Sequence, residues 1–494
     1  MTDIYDKFVK HVERIENLKE VMGILHWDQE VMMPTEGVNA RSKQFAVLSA
    51  MRHELVIDEE FGEMINEVSK ENDEDIFVIC REVERSRERE IAIPTELVEE
   101  LAMETSNAFP IWVKAKKELD FRMFENTLKK MVSKKCEVAN YINPSADPYE
   151  TLFEDYEPYL GILSVEKILE ELRKELVPLI KKIRNSGGGI GFQVEEEFDI
   201  MGQENLSRKV LDLLGYDWSR GRLDLSPHPF SMGNYFDSRI TTRFRRDNLI
   251  EGLLSTIHEF GHALYTLNLP MEYYGTPLCD DMGMIIHESQ SRFWENHIGR
   301  SPAFWDKILP MINSEFPGKI SLNSDEMYQV VNRVKLDNPI RVNADELTYH
   351  MHIIIRYEIE SGLIGGELNV SEIPMVWEEK MEKYLGVIPK NDSEGCLQDI
   401  HWSHGSFGYF PTYSVGSVLA AQVNHAMETD IGSIQKLIRQ ENFECIREWL
   451  RENIHNHGGR YTTPDLIEVA TNEPIKIDYF VKYVKEKYSG IYGI

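Results

Sequence analysis

"LSTIHEFGHALY", residues 254–265, places a histidine, an adjacent glutamate and a second histidine three positions later inside a run that is otherwise apolar. Apolar residues at three- and four-residue spacing on both flanks predict a helix buried on most of its surface. On such a helix His258 and His262 stand four residues and about 40° apart, so both imidazoles can reach one ion from adjacent turns. Glu259 sits beside them, rotated away from that ion, which suits a general base rather than a ligand. Gly261 costs about 1 kcal/mol of helix propensity and permits close packing. With 15 histidines in 494 residues, composition alone can generate such a motif, so its context has to carry the reading.

A catalytic zinc takes three protein ligands and leaves one position open. The extended H-E-x-x-H-x-x-G-x-x-H form is excluded, because Tyr265 and Asn268 occupy the places of its glycine and last histidine. A further helix-like segment, "MGMIIHESQSRFWENHIG", offers Glu288 as third ligand. It follows His262 after a turn, "LNLPMEYYGTP", that would lay two helices side by side. Glu295, two turns on along the same face, is the rival ligand. His287 points about 100° away from Glu288 and reads as packing or as support for a ligand.

Amphipathic patterns of the same period fill the chain, in "IYDKFVKHVERIENLKEVMGIL", "PTELVEELAMETSNAFPIWVKAKKEL", "SVEKILEELRKELVPLIKKIRNSGGG" and "IDYFVKYVKEKY". The expected fold is mainly α, a large helical body spanning residues 1–494 as one domain. The exception is the stretch from Arg222 to Phe244, whose short alternating runs broken by Pro and Gly predict a small antiparallel sheet just ahead of the histidine helix. The glycine run after Ser186 lacks the spacing of a phosphate or dinucleotide loop and reads as a cap and linker. "HNHGGRY" and the pair His350 and His352 have the wrong spacing for ligands on one face and read as structural.

Composition narrows the partners. Lys and Arg number 54 against 84 Asp and Glu, a formal charge of -30 that repels phosphate backbones and anionic membranes. Nucleic acid is therefore not an expected partner, nor is a membrane, since no apolar run approaches twenty residues and no signal-peptide pattern opens the chain. Cys80, Cys136, Cys279, Cys396 and Cys445 form no CxxC pair, which fits a reducing cytoplasm.

Six segments in order, "HPF" at 228–230, "DSRIT" at 237–241, "HEFGH" at 258–262, "HESQ" at 287–290, "IRVNAD" at 340–345 and "GCLQDIHW" at 395–402, resemble the carboxypeptidase Taq family. "LHWDQEVMMP" and "HGSFGYFPTY" extend the likeness from about residue 20 nearly to the end. Ile285 departs from it, standing where the family usually has glycine. The resemblance implies a nearly all-helical, gluzincin-like fold with a deep substrate groove dividing it into two halves, a small sheet along one wall, a metal at the groove floor and a homodimer. It also implies release of single residues from peptides with a free C-terminus and broad side-chain tolerance, by attack of zinc-bound water with a glutamate base; cobalt or manganese could replace zinc. An oligopeptidase cutting internal bonds and a silent peptide-binding scaffold are the alternatives.

Within these motifs Arg341 and Arg239 are the candidates to fork onto a terminal carboxylate, with Asp345 and Asp237 as their structural alternatives. His401 and Tyr409 are candidate donors to the developing oxyanion. His228, between two prolines, is a candidate for the groove wall, where a free sheet edge could pair with a peptide.

Overall fold

The computed structural model describes residues 2–187 and 189–494. Helices dominate, as the apolar spacing predicts. Those that build the site are α1 (Thr2–Val31), α2 (Pro148–Phe153), α3 (Ile162–Asn185), α4 (Leu249–Leu267), α5 (Met284–Arg292), α6 (Tyr349–Ile364), α7 (Pro411–Ile431) and α8 (Asp478–Tyr492). Helix α3 ends before Ser186, and Gly187 follows with φ of +92°, so the chain stops being helical where the glycine run begins. Gly188 of that run lies outside the described residues.

The sheet forms where expected but is mixed rather than antiparallel. Strands β1 (Leu223–Leu225), β2 (Ser231–Asn234) and β3 (Asp237–Thr242) lie in the order β1-β3-β2. The β2–β3 pair is the antiparallel hairpin, with Asn234 Oδ1 accepting the Phe236 and Asp237 amides across the turn. Strand β1 runs parallel to β3, pairing Leu223 with Ile240. The cause is the "SPHPF" segment, which carries the chain across the end of β3 before β2 begins. Ser226 N–H donates to Thr242 O and Phe230 N–H to Thr241 Oγ1, so β1 and β2 flank opposite edges of β3.

Helix α4 is buried nearly all round, and its first turn is capped by Asn248 Oδ1 on the Glu251 amide. One continuous apolar core holds α4 and α5 together with α6, α7 and α8. A smaller cluster around Phe8, Val12, Phe61 and Ile79 packs the N-terminal helices and reaches Leu278 just ahead of α5. On the sheet side the guanidiniums of Arg222 (4.8 Å) and Arg239 (4.6 Å) both lie over the Trp27 ring of α1. The "LHWDQE" stretch is thus the point where α1 grips the sheet.

Candidate active site

Helices α4 and α5 pack side by side, and Gly261 lets them do so. A β-carbon at that position would sit 2.6 Å from Gln290 O and from Ser291 Cα. Gly416 of α7 does the same from the other side, since its β-carbon would be 2.8 Å from Cβ and Cγ of Glu288. Helix α5 is therefore held between two glycine-cleared contacts, and the Glu288 carboxylate is turned towards α4.

There it meets both histidines. Glu288 Oε2 lies 3.6 Å from His258 Nε2 and 3.4 Å from His262 Nε2. Tetrahedral metal bonds of about 2.0–2.1 Å place neighbouring donor atoms about 3.4 Å apart, so the three groups fit a small divalent cation. They are also the group of three His, Cys, Asp or Glu side chains, among the described residues, whose donor atoms fall within 4.8 Å of one another.

The surroundings fix each donor. His258 Nδ1 lies 3.0 Å from Glu295 Oε2, which as acceptor leaves the Nε2 lone pair free for an ion. Burial disfavours protonated His258, but Glu288 and Glu295 outweigh it and raise its pKa. Glu295, the rival ligand by spacing, thus faces the far side of His258. It is held there by Arg292 (3.2 Å) and Arg300 (2.8 Å). Arg292 Nε also donates to Glu288 Oε1 at 2.6 Å and Ser291 Oγ to Oε2 at 2.9 Å, with Oε2 facing the histidines. Burial would raise the Glu288 pKa, yet Arg292, His258 and His262 hold it far below the usual carboxylate range. His287 lies behind His262, its Nδ1 in close contact with His262 Nδ1. Burial and the neighbouring His262 keep it neutral. Immediately after α5 the chain widens into a π-helical turn, Phe293–Gly299, which carries Glu295.

Glu259 is buried beside this cluster, and burial raises its pKa, with Glu288 and Glu295 adding to the effect against His258 and His262. A carboxylate with raised proton affinity next to a cation site is suited to accepting a proton from water.

Aromatic and guanidinium groups adjoin this cluster through Tyr349, over whose ring Arg292 lies at 4.6 Å. Arg341 is buried with its Nε on Asp399 Oδ1 at 2.9 Å and its Nη1 3.2 Å from Tyr349 Oη. Its partner is therefore Asp399 rather than the neighbouring Asp345, whose carboxylate instead accepts the Leu347 and Thr348 amides. Asp399 also accepts Arg356 Nε at 2.6 Å, so two guanidiniums share one carboxylate and leave a net positive charge. Gln398 Oε1 takes the Arg341 amide at 2.8 Å, which ties the "IRVNAD" and "QDIHW" segments together. Arg239 forks onto Asp237 and lies over Trp27, the pairing its neighbourhood in sequence allowed.

His401 packs at a tilt against Phe410 (ring centres 4.5 Å apart) and stacks on Tyr409 (5.7 Å), and its Nδ1 has no hydrogen-bond partner among the described residues. Burial, helped by Arg341 and Arg356 and opposed by Asp399, brings its pKa down to about 4, so it is neutral at pH 7. Tyr409 packs edge-on against Tyr413 (5.0 Å) and Tyr156 (5.1 Å), and burial pushes its pKa up to about 12, keeping it a donor. His228 is exposed on the segment between β1 and β2. His350, His352 and His455 are buried away from the cluster, His350 on Ser414 Oγ and His455 on Gln290 Oε1, in keeping with structural roles.

Sequence reasoning did not anticipate Arg292, Arg300, Asp399 or Tyr349. Spacing could have suggested Arg292, which follows Glu288 by one helical turn. Arg300 and Asp399 come from segments whose approach no local pattern encodes.

The model of the carboxypeptidase Taq (M32) metallopeptidase family matches residues 7–488. Thermostable carboxypeptidase 1 of Pyrococcus furiosus is 37% identical over 481 residues, 96% of each chain. Carboxypeptidase 1 of Bacillus subtilis is 34% identical over 99% of each. The crystal structure of an M32 carboxypeptidase from Deinococcus radiodurans superposes with a TM-score of 0.96 over the full length of both chains, at 31% identity.

Proposed function

The chain belongs to the carboxypeptidase Taq (M32) metallopeptidase family and is a metallocarboxypeptidase, and from that premise we propose that it releases single residues from free peptide C-termini with broad side-chain tolerance. The observation that carries this reading is the convergence of His258, His262 and Glu288 on one point with Glu259 beside it.

The three donors would hold a divalent cation, zinc in this reading with cobalt or manganese able to substitute. Such an ion supplies Lewis acidity to the scissile carbonyl and lowers the pKa of a water at the site. Glu259 takes the proton from that water and returns it to the departing amino group. Arg341 anchors the terminal carboxylate. Its Nε and Nη1 are already committed, which fixes the plane of the guanidinium and leaves Nη2 to the substrate. The charge left by two arginines on one aspartate favours an anion at this place. His401 and Tyr409, neutral and protonated respectively, donate to the developing oxyanion, a contribution of about 3 to 4 kcal/mol for a well-placed donor. Arg239 and His228 line the approach along the sheet, which borders a deep groove in a single body of residues 1–494. A cytoplasmic homodimer completes the proposal.

The test is mass spectrometry of a peptide digested with the enzyme stripped by chelator and reloaded with metal. A ladder shortened residue by residue from the C-terminus, and no cleavage of the C-terminally amidated peptide, is the expected result. Internal fragments from the amidated peptide would show an oligopeptidase instead, and no cleavage of either peptide a silent scaffold.

A further inference from the structure

The wall segment that carries His401 and Tyr409 is held by a carboxylate from another helix. Glu360 of α6 is fully buried, with 0% of its surface exposed. Its Oε1 accepts the Trp402 indole N–H at 2.7 Å, and its Oε2 accepts both the Gly408 amide at 3.1 Å and the Tyr149 hydroxyl at 3.0 Å. Trp402 directly follows His401, and Gly408 directly precedes Tyr409. The two anchor points therefore bracket the loop at the residues next to its two proposed donors.

The path of this loop requires a glycine and leaves an amide in need of an acceptor. Gly408 has φ of +93°, and a β-carbon there would stand 2.8 Å from N and Cα of Phe153 at the end of α2. The strand of loop is thus pressed against α2, and its amide is turned inwards, where an acceptor is required. A buried carboxylate satisfies it at a cost, because no cation hydrogen-bonds Glu360 among the described residues. Arg356, one turn earlier on α6, gives its guanidinium to Asp399 and to His352 O. A buried charge with only neutral donors is costly unless those bonds serve a purpose.

We propose that Glu360 is a positioning residue, whose carboxylate straps the 401–410 segment so that His401 and Tyr409 face the reacting carbonyl. This rests on the roles given to those two residues above. The groups facing Glu360 are Tyr149 from α2, Tyr156 from the turn after it, Trp402 and Gly408 from the loop, and Arg356 on its own helix. Burial pushes its pKa up to about 7, against the Gly408, Trp402 and Tyr149 bonds that favour the ionised form. Once protonated, the group would aim an O–H at donors, and the strap would loosen in acid.

Glu360→Gln keeps the volume and replaces one acceptor by an NH2 group. We expect it to retain its metal and to lose about tenfold or more in kcat, as small misplacements at active sites do. In a His401→Ala/Tyr409→Phe background the same change should cost less than twofold, because nothing remains to be positioned. Wild-type kcat in Glu360→Gln, or an equal loss in both backgrounds, overturns the proposal while leaving the roles of His401 and Tyr409 standing. Full kcat in both His401→Ala and Tyr409→Phe removes those roles, and the proposal with them. Should Glu360→Gln not fold, Trp402→Phe, which removes the indole N–H bond to Glu360 Oε1, decides. It should keep its zinc and lose severalfold in kcat, and wild-type kcat overturns the strap.

Discussion

Gly261→Ala isolates the contact that brings the two ligand helices together. The added carbon would meet Gln290 O and Ser291 Cα at 2.6 Å, where ordinary contact begins near 3.4 Å, so α4 and α5 must part by about 0.8 Å. Both contacts are backbone and cannot swing aside. Overpacking of this kind costs about 1–3 kcal/mol, while alanine recovers about 1 kcal/mol of helix propensity. The net loss of stability is therefore about 1 kcal/mol, and the protein stays folded. The site fares worse, because His262 is the next residue on α4 and Glu288 lies two before Gln290 on α5. Their donor atoms, now 3.4 Å apart, would be drawn towards a separation of about 4 Å, too wide for tetrahedral bonds of about 2.0–2.1 Å. Zinc titration against a competing chelator should show at least tenfold weaker binding, and kcat with saturating metal should fall about 10- to 100-fold. A Gly261→Ala enzyme with wild-type zinc affinity and kcat would refute the claim that this close approach sets the ligand geometry.

Glu259→Gln should bind zinc as the wild type does and lose at least a thousandfold in kcat, since the amide cannot accept the proton; an active variant in a steady-state assay would remove Glu259 as the base. Arg341→Ala should raise KM strongly for free-acid peptides, and an unchanged KM would assign the arginine to structure alone. Lys487→Met leaves Glu346 buried without its ammonium partner, the two being 5% and 1% exposed. Urea unfolding at pH 7 should show a loss of about 3 kcal/mol, the lower end for a broken buried pair, because Tyr483 still donates to the carboxylate. Burial alone would raise the Glu346 pKa, but Lys487 and Arg300 bring it below the usual 4.5. The stabilisation it gives is therefore complete above that value and lost as the pH falls through the folded pKa, so the Lys487→Met deficit should shrink in acid.

Much of this site was legible because its parts lie on single helices. The four-residue interval between His258 and His262 is a property of α4, and the period of the flanking apolar residues revealed that helix directly. Glu288 was within reach because a single connection, residues 268–283, separates α5 from α4. What the sequence concealed are contacts between segments brought together only by the core. Asp399 reaches Arg341 across 58 residues and Glu360 reaches Trp402 across 42, and neither interval follows any helical or strand period. Asp345 was the nearer partner for Arg341 in sequence, but its position in the turn ahead of α6 commits it to the Lys335, Leu347 and Thr348 amides. The parallel β1 was hidden for a related reason, since alternation marks a strand but not the direction of its neighbour. Glu295 shows the limit of face arguments. It does share a face with Glu288, yet the π-helical turn and two arginines direct it to Nδ1 of His258 rather than to the point where Glu288 meets both histidines.

The most direct measurement is the zinc content of Glu288→Ala and Glu295→Ala after stripping, reloading and exhaustive dialysis, read by mass spectrometry of the metal. Glu288→Ala should emerge empty, whereas Glu295→Ala, which loses only the support behind His258, should keep zinc with affinity weakened about 10- to 100-fold. Full zinc in Glu288→Ala with none in Glu295→Ala would contradict the ligand set on which the account stands.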